Sequence, residues 1–140
     1  MAKKTKTLSQ LRKEADKYFS KYVRYRDAER VGDNWYAECI TCGVKKNIKD
    51  LHAGHFMSRR FSITRYEEEN VNAQCALCNT YRAGEQYLYY KALKAKYGDE
   101  VPDRLEGLTK QTFKPTRDWY EQIISDAKEQ IKFYESGKLI

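Results

Sequence analysis

Residues 51–82 read LHAGHFMSRRFSITRYEEENVNAQCALCNTYR, and they hold both histidines of the chain and two of its four cysteines. The other two cysteines lie upstream, in CITC at residues 39–42. Two CxxC pairs separated by 32 residues are typical of a zinc site, because each pair places two thiolates on one tight turn. The four predicted zinc ligands are Cys39, Cys42, Cys75 and Cys78.

Four sulfur ligands complete a tetrahedron, so the predicted Zn2+ has no open position for water or substrate and would be structural. The alternatives are an iron–sulfur centre or another metal at the same thiolates, or four cysteines without a metal. Disulfides are rare in reducing compartments, which also favours a metal for these four cysteines. Any catalysis must therefore come from side chains that the zinc site positions.

The composition describes a soluble, globular chain. It has 140 residues, of which 41% are hydrophobic and 34% charged. No apolar run approaches the length of about 18 residues that a membrane span needs, so no membrane partner is expected. The basic residues 1–10 are not followed by an apolar stretch, so no secretory signal is expected and the predicted location is intracellular.

The net charge of +7 is unevenly distributed. Residues 1–30 carry ten basic and four acidic side chains, whereas residues 99–140 carry seven basic and nine acidic ones. Such a field favours a polyanion as partner, most simply nucleic acid. A basic, soluble protein without such a partner would have the same composition.

The hydrophobic spacing predicts amphipathic helices over residues 8–30 and 116–136. Five elements are expected between them: strands at 35–41, 52–56 and 70–75, a helix at 79–98 that bends at Gly84, and an irregular connector at 99–115.

The predicted fold class is α+β, with a small zinc-pinned core between terminal helices. It divides into three parts: a basic N-terminal helical arm at 1–34, a zinc-bearing core at 35–98, and a connector with the C-terminal helix at 99–140.

The two histidines lie three residues apart on a predicted strand, so they should point to opposite faces. We expect His55, beside the small Gly54, to face Asn79, which directly follows the last cysteine. His52 would then point away. A lone histidine is often structural, but here the zinc-tied asparagine and the basic surroundings favour a catalytic His55.

A family resemblance rests on these motifs. The CxxC pair, the Gly-His at the end of a strand and ENVNAQCALCN at residues 69–79 resemble the HNH, or ββα-metal, nuclease motif in its zinc-bearing form. AGH at residues 53–55 and the N-x-x-x-Q-C-x-x-C-N element resemble the phage NinG (Rap) recombination protein family most closely. The CxxCN ending is also similar to phage recombination endonuclease VII. The resemblance covers roughly residues 8–98.

The resemblance implies a metal-dependent, structure-specific DNA endonuclease that cleaves Holliday junctions or other branched DNA by phosphodiester hydrolysis. It implies that His55 is the general base, that Asn70 fixes the loop carrying His55, and that Asn79 is a ligand of a catalytic Mg2+ or Mn2+. Many HNH nucleases keep an acidic metal ligand directly before the catalytic histidine. Here that position is Gly54, so His52, water or phosphate oxygens would replace it.

The basic side chains near this motif are candidate DNA contacts. They are Arg59, Arg60, Arg65, Arg82, Lys45, Lys46 and Lys49. Tyrosines 87, 89, 90 and 97 recur at helical spacing, which favours a packed face over stacking on unpaired bases.

A junction resolvase makes paired cuts, so a symmetric homodimer is expected, with the terminal helices as candidate interface. The resemblance places the protein in the cytoplasm of a phage-infected or lysogenic bacterium. The alternatives are an HNH nicking or packaging-associated nuclease and a non-enzymatic zinc-bearing DNA-binding protein.

Overall fold

A computed structural model describes residues 5–137 of the chain. Residues 1–4 of the predicted N-terminal arm and 138–140 of the predicted C-terminal part lie outside the described residues. The helices are α1 (Leu8–Arg26), α2 (Ser62–Arg65), α3 (Gln86–Tyr97), α4 (Val101–Leu108) and α5 (Arg117–Glu135). The strands are β1 (Ala28–Val31), β2 (Asn34–Glu38), β3 (Lys45–Asn47), β4 (Leu51–His55) and β5 (Val71–Cys75). The mixed α+β class agrees with the sequence prediction.

The two terminal helices pack against each other within one chain. Helix α1 begins with a capping box, in which Thr7 and Gln10 each accept a hydrogen bond from the other's backbone amide. Its apolar stripe includes the buried Phe19 and Val23, which pack in one cluster with Tyr120 and Ile124 of α5. Burying a side chain of this size contributes about 1.5–3 kcal/mol. Val71 of β5 belongs to the same cluster, so this packing holds α1 against both α5 and the small β4–β5 sheet. The same apolar faces are therefore not free to pair with a second copy.

Residues 5–137 contain two antiparallel sheets with five strands, where the sequence predicted three strands. Strands β1, β2 and β3 form one sheet in that order, and β4 pairs with β5 in the other. The first helix was predicted to run to residue 30, but it ends at Arg26 because residues 28–38 form a hairpin. Val31 pairs with Asn34 across a two-residue turn, and Gly32 has a φ of +63°, which favours glycine. The turn signal was visible in the sequence, and the strand predicted at 35–41 corresponds to β2, but β1 was not predicted.

Two further segments differ from the sequence prediction. The connector at 99–115 contains α4, whose Val101 and Leu105 are buried against α3. Pro102 lies in the first turn of α4, where its missing amide hydrogen has no helical partner to lose. The helix predicted at 79–98 is instead a π-helical turn (Leu77–Tyr81), a tight turn around Gly84, and then α3.

None of the helices in residues 5–137 is both long enough and apolar enough to span a membrane.

Candidate functional site

The four cysteines form the frame of the site. Their Sγ atoms all lie within 4.8 Å of one another, and those of Cys42 and Cys75 are 3.7 Å apart. Four sulfurs around Zn2+ at a Zn–S distance of about 2.3 Å would be separated by about 3.8 Å, so a tetrahedral zinc ion fits this cluster. The first knuckle also contacts β5 directly, because the amide of Ile40 donates a hydrogen bond to the carbonyl of Ala73. The cluster is therefore compatible with the predicted structural zinc.

A cleft of about 1110 Å³ lies beside this frame, between α1, the strand β4 with its following loop, and the π-helical turn. Both histidines and Asn79 line this cleft, although the two histidines were expected to point to opposite faces of their strand. Strand β4 is at the edge of its two-stranded sheet, so side chains from both of its faces can reach a cleft along that edge. The charged lining residues are Asp16, Arg24, Arg59 and Arg60, an excess of positive charge that suits an anionic ligand.

The side chain that contacts Asn79 is His52, which corrects the expectation that His55 would do so. Asn79 Nδ2 lies 3.0 Å from His52 Nδ1, and the amide donates this hydrogen bond to the imidazole. The reason is the pairing of His52 with Gln74 on β5. Gln74 donates to the carbonyl of Gly84, so the face shared by Gln74 and His52 is the one that the segment after the last cysteine covers. The alternation of side chains was predicted correctly, but not which face meets Asn79.

His55 is held on the other face by a backbone carbonyl. Its Nε2 lies 2.9 Å from the carbonyl oxygen of Arg65. A carbonyl can only accept, so Nε2 carries the hydrogen, and the Nδ1 of a neutral imidazole keeps its lone pair. Burial lowers the pKa of His55 to about 4, and the nearby positive charges of Arg59 and Arg65 act in the same direction. At neutral pH the ring is therefore uncharged and able to accept a proton at Nδ1.

A carboxylate of α1 fixes the residue that carries this carbonyl. Asp16 accepts two hydrogen bonds from the Arg65 guanidinium, from Nε at 2.8 Å and from Nη2 at 2.6 Å. Tyr66 donates a third, at 2.7 Å. Although burial alone would raise the pKa of Asp16, these hydrogen bonds lower it. The terminal helix thus contributes directly to the position of the His55 ring.

Asn70 holds the loop that follows His55. Its side chain is fully buried, accepts from the Met57 amide at 2.7 Å, and donates to the carbonyls of Met57 and Thr64 at 3.1 and 3.0 Å. These bonds join both ends of the loop that carries Arg59 and Arg60. As expected from the sequence, Asn70 bonds the backbone of this loop, and it does not line the cleft.

The structure explains why position 54 has no acidic side chain. A Cβ built on Gly54 would lie only 2.0 Å from Oε1 of Gln74. Gln74 is fully buried and its amide nitrogen donates to Thr41 Oγ1 and to the Gly84 carbonyl, so it cannot move aside freely. A carboxylate at this position would therefore be directed into the protein core, where a charge is costly.

The structure separates the predicted DNA contacts into two groups. Arg59 and Arg60 are exposed and line the cleft. The guanidinium of Arg65 is instead engaged by Asp16, and Arg82 lies outside the cleft lining with its Nε 3.8 Å from Glu85. The three predicted lysine contacts lie on β3 and in the turn after it, outside the cleft lining: Lys45, Lys46 and Lys49.

The sequence did not predict that α1 would form one wall of the cleft. Asp16, Ser20 and Arg24 line the cleft from this helix. They recur every fourth residue, directly after the buried positions of the apolar stripe, so they share one helical face beside it. This spacing was present in the sequence, but nothing in it indicated that this face would meet β4.

Comparison with known proteins agrees with the resemblance to the NinG family. The family described as Bacteriophage Lambda NinG protein matches residues 1–136. Protein ninG of Escherichia phage lambda is 27% identical over 95 residues, covering 67% of this chain and 43% of the relative. Protein ninG of Salmonella phage P22 is 24% identical over 124 residues, covering 84% of this chain and 57% of the relative. The chain thus spans about half the length of these relatives. No solved structure matches it.

Proposed function

The chain belongs to the NinG family, and from this premise we propose that the cleft is the active site of a metal-dependent DNA endonuclease that cleaves Holliday junctions or other branched DNA. The observation that carries the proposal is the state of His55. A neutral imidazole, oriented through Nε2 by the Arg65 carbonyl and lining a cleft with excess positive charge, can take a proton from water and so act as a general base for hydrolysis.

In the proposed reaction, His55 Nδ1 takes a proton from a water molecule whose oxygen forms a bond to the scissile phosphorus. The bond from phosphorus to the 3′ oxygen breaks, and that oxygen takes up a proton from solvent. Arg59 and Arg60 lie where they can pair with the phosphate backbone of the bound strand. Asn70 acts only indirectly, by holding the loop that carries these arginines and follows His55.

The side chains around Asn79 could hold a divalent ion through few protein ligands. A bound Mg2+ or Mn2+ would stabilise the negative charge that develops on the phosphate and on the leaving oxygen. His52 Nδ1 lies 3.0 Å from Asn79 Nδ2, so the Asn79 amide would have to turn, with Oδ1 in place of Nδ2, for both side chains to offer a lone pair to one ion. Asp16 is the one carboxylate among the cleft residues described, and its oxygens bind Arg65 and Tyr66. Water and phosphate oxygens would therefore supply most of the remaining ligands.

The order of elements also supports an HNH-type core. Strands β4 and β5 are antiparallel neighbours, and a helical segment carrying Asn79 follows β5 directly. His55 ends the first strand and Asn70 precedes the second, as the zinc-bearing ββα-metal pattern requires. The cysteine cluster would hold this unit at its base.

Paired cuts in a four-way junction require two active sites, so we propose that the working form is a homodimer. The interface would not be the apolar faces of α1 and α5, because they pack against each other within one chain. The molecular mass in solution, with and without a junction, tests this proposal.

Cleavage assays on four-way junctions, flaps and linear duplexes, with Mg2+ or Mn2+, test the function. The His55→Gln variant should keep zinc and DNA binding but lose about 10²- to 10⁴-fold in cleavage rate, the usual contribution of a general base. Lys132→Gln is the matched control, because Lys132 lies on α5, outside the cleft lining, and is not among the predicted DNA contacts. A wild-type protein that binds these DNAs and cuts none of them would contradict the nuclease proposal.

A non-enzymatic, zinc-bearing DNA-binding protein is the second candidate. The direct hydrogen bond between His52 and Asn79 favours it, because it satisfies both side chains without an ion. In that case Asn79→Ala would change folding stability and leave no cleavage activity to lose. An HNH nicking or packaging-associated nuclease would instead cut duplex DNA at least as fast as branched DNA.

A further inference from the structure

Two tyrosines next to the cleft are unusually exposed. Tyr81 and Tyr87 are 80% and 72% exposed, the highest values among the large apolar side chains in residues 5–137. The nearby Tyr89 is fully buried and donates a hydrogen bond to the Gly54 carbonyl at 2.6 Å. The helical spacing predicted that the tyrosines of this segment form a packed face, but Tyr87 is exposed instead. One exposed ring needs no explanation, but two in one short segment whose neighbouring residues line the cleft do.

In the sequence, each of the two tyrosines comes directly after a residue that lines the cleft. Tyr81 is the last residue of the π-helical turn and comes after Thr80, and Tyr87 comes after Gln86. Asn79, the proposed ion ligand, is two residues before Tyr81. A DNA strand that placed its phosphate at Asn79 would therefore come close to the segment that carries both tyrosines.

The backbone between the two tyrosines is held in a defined shape. Ala83, Gly84 and Glu85 all have positive φ, which is uncommon for residues other than glycine. The amide of Gly84 donates to the Cys78 carbonyl at 2.7 Å, and its carbonyl accepts from Gln74 at 2.9 Å. The turn is thus bonded to the cysteine frame, so the exposed rings are attached to an ordered support.

Each of the two exposed tyrosines has a basic residue near it. Lys91 Nζ lies 4.8 Å from the centre of the Tyr87 ring, and Arg82 directly follows Tyr81. Glu85 offsets part of this charge, since it lies 3.8 Å from Arg82. Flat aromatic faces beside cations are typical of surfaces that bind single-stranded nucleic acid, where bases stack on the rings and phosphates pair with the cations.

We propose that Tyr81 and Tyr87 stack on unpaired bases of the strand that enters the cleft. The substrate class is then DNA with unpaired nucleotides next to the scissile phosphate, because the bases of an intact duplex already stack on each other. This inference rests on the proposed function for its choice of DNA as the ligand. A second copy of the chain is the alternative occupant of these rings, and the test below includes it.

Equilibrium binding of the zinc-loaded full chain, without a divalent ion, tests the proposal. The probes are a labelled oligothymidine strand and a labelled duplex at one fixed salt concentration. Tyr81→Leu and Tyr87→Leu keep apolar bulk but remove the ring, whereas the two Phe variants keep it. Phe133→Leu is the matched control, because Phe133 is 48% exposed on α5, which contributes nothing to the cleft lining.

Each Leu variant should weaken single-strand binding by about tenfold, the effect of losing one base–aromatic stack, and leave duplex binding nearly unchanged. The Phe variants and Phe133→Leu should bind as the wild type does. Unchanged single-strand binding by both Leu variants would overturn the proposal, as would a loss of self-association in place of a loss of DNA binding. Because no cleavage is measured, a wild-type protein that cuts nothing would count against the nuclease proposal alone.

Discussion

Replacing His55 by glutamine should change how the stability of the protein depends on pH. His55 has an ordinary pKa of 6.5 and a pKa of about 4 in the folded chain, mainly because it is buried. The unfolded chain therefore binds a proton at this residue at a pH where the folded chain does not. The contribution of His55 to the free energy of unfolding is therefore fully present above pH 6.5 and is lost as the pH falls towards 4.

The size of the effect follows from the two pKa values. Lowering the pH from about 7.5 to about 5 should reduce the free energy of unfolding by about 2 kcal/mol through this one group. The full difference, reached below the folded-state pKa, is about 3 kcal/mol. Glutamine keeps an Nε2 donor for the Arg65 carbonyl but does not titrate, so His55→Gln should lose this part of the pH dependence.

Urea unfolding of both proteins at a series of pH values, with equal total zinc, measures the difference. Comparing the two proteins removes contributions that they share, including proton competition at the zinc thiolates. Parallel curves for the wild type and His55→Gln would refute the argument that His55 is buried and neutral in the folded protein.

Other changes test the frame of the site. Gly54→Ala should destabilise the fold by about 1–3 kcal/mol in urea unfolding, and Gln74→Ala in the same chain should relieve most of this cost. Asn70→Ala should cost about 2 kcal/mol or more, since it removes the side-chain partner of the Met57 amide and of the Met57 carbonyl; retained stability would contradict the bonding described for this loop. Asp16→Asn should slow cleavage with zinc retained, and it should shift the pH profile of the rate if the Arg65 carbonyl orients His55. Glu14→Gln, which breaks ion pairs on the same helix outside the cleft, should do neither. Zinc removal by a chelator should abolish the cooperative fold, as followed by circular dichroism, because the cysteine cluster holds both knuckles together.

Several features could be predicted from local sequence. The amphipathic spacing identified the terminal helices to within a few residues, apart from the last turn predicted for the first one. The CxxC spacing predicted four cysteines in one cluster, and their Sγ atoms do lie together. Helix α4 was missed because both prolines of the chain lie in 99–115, although a proline in the first turn of a helix is well tolerated.

What the sequence alone determined is a property of neighbouring residues: the cysteine pairs, the apolar stripe of α1, and the opposite directions of His52 and His55. Tertiary structure decided which of those directions leads to Asn79, and it did so through the pairing of β4 with β5. It also brought Asp16 to Arg65, 49 residues away along the chain. Periodicity and spacing are set by the geometry of the backbone, whereas contacts between distant residues depend on how buried faces pack, which no local pattern specifies.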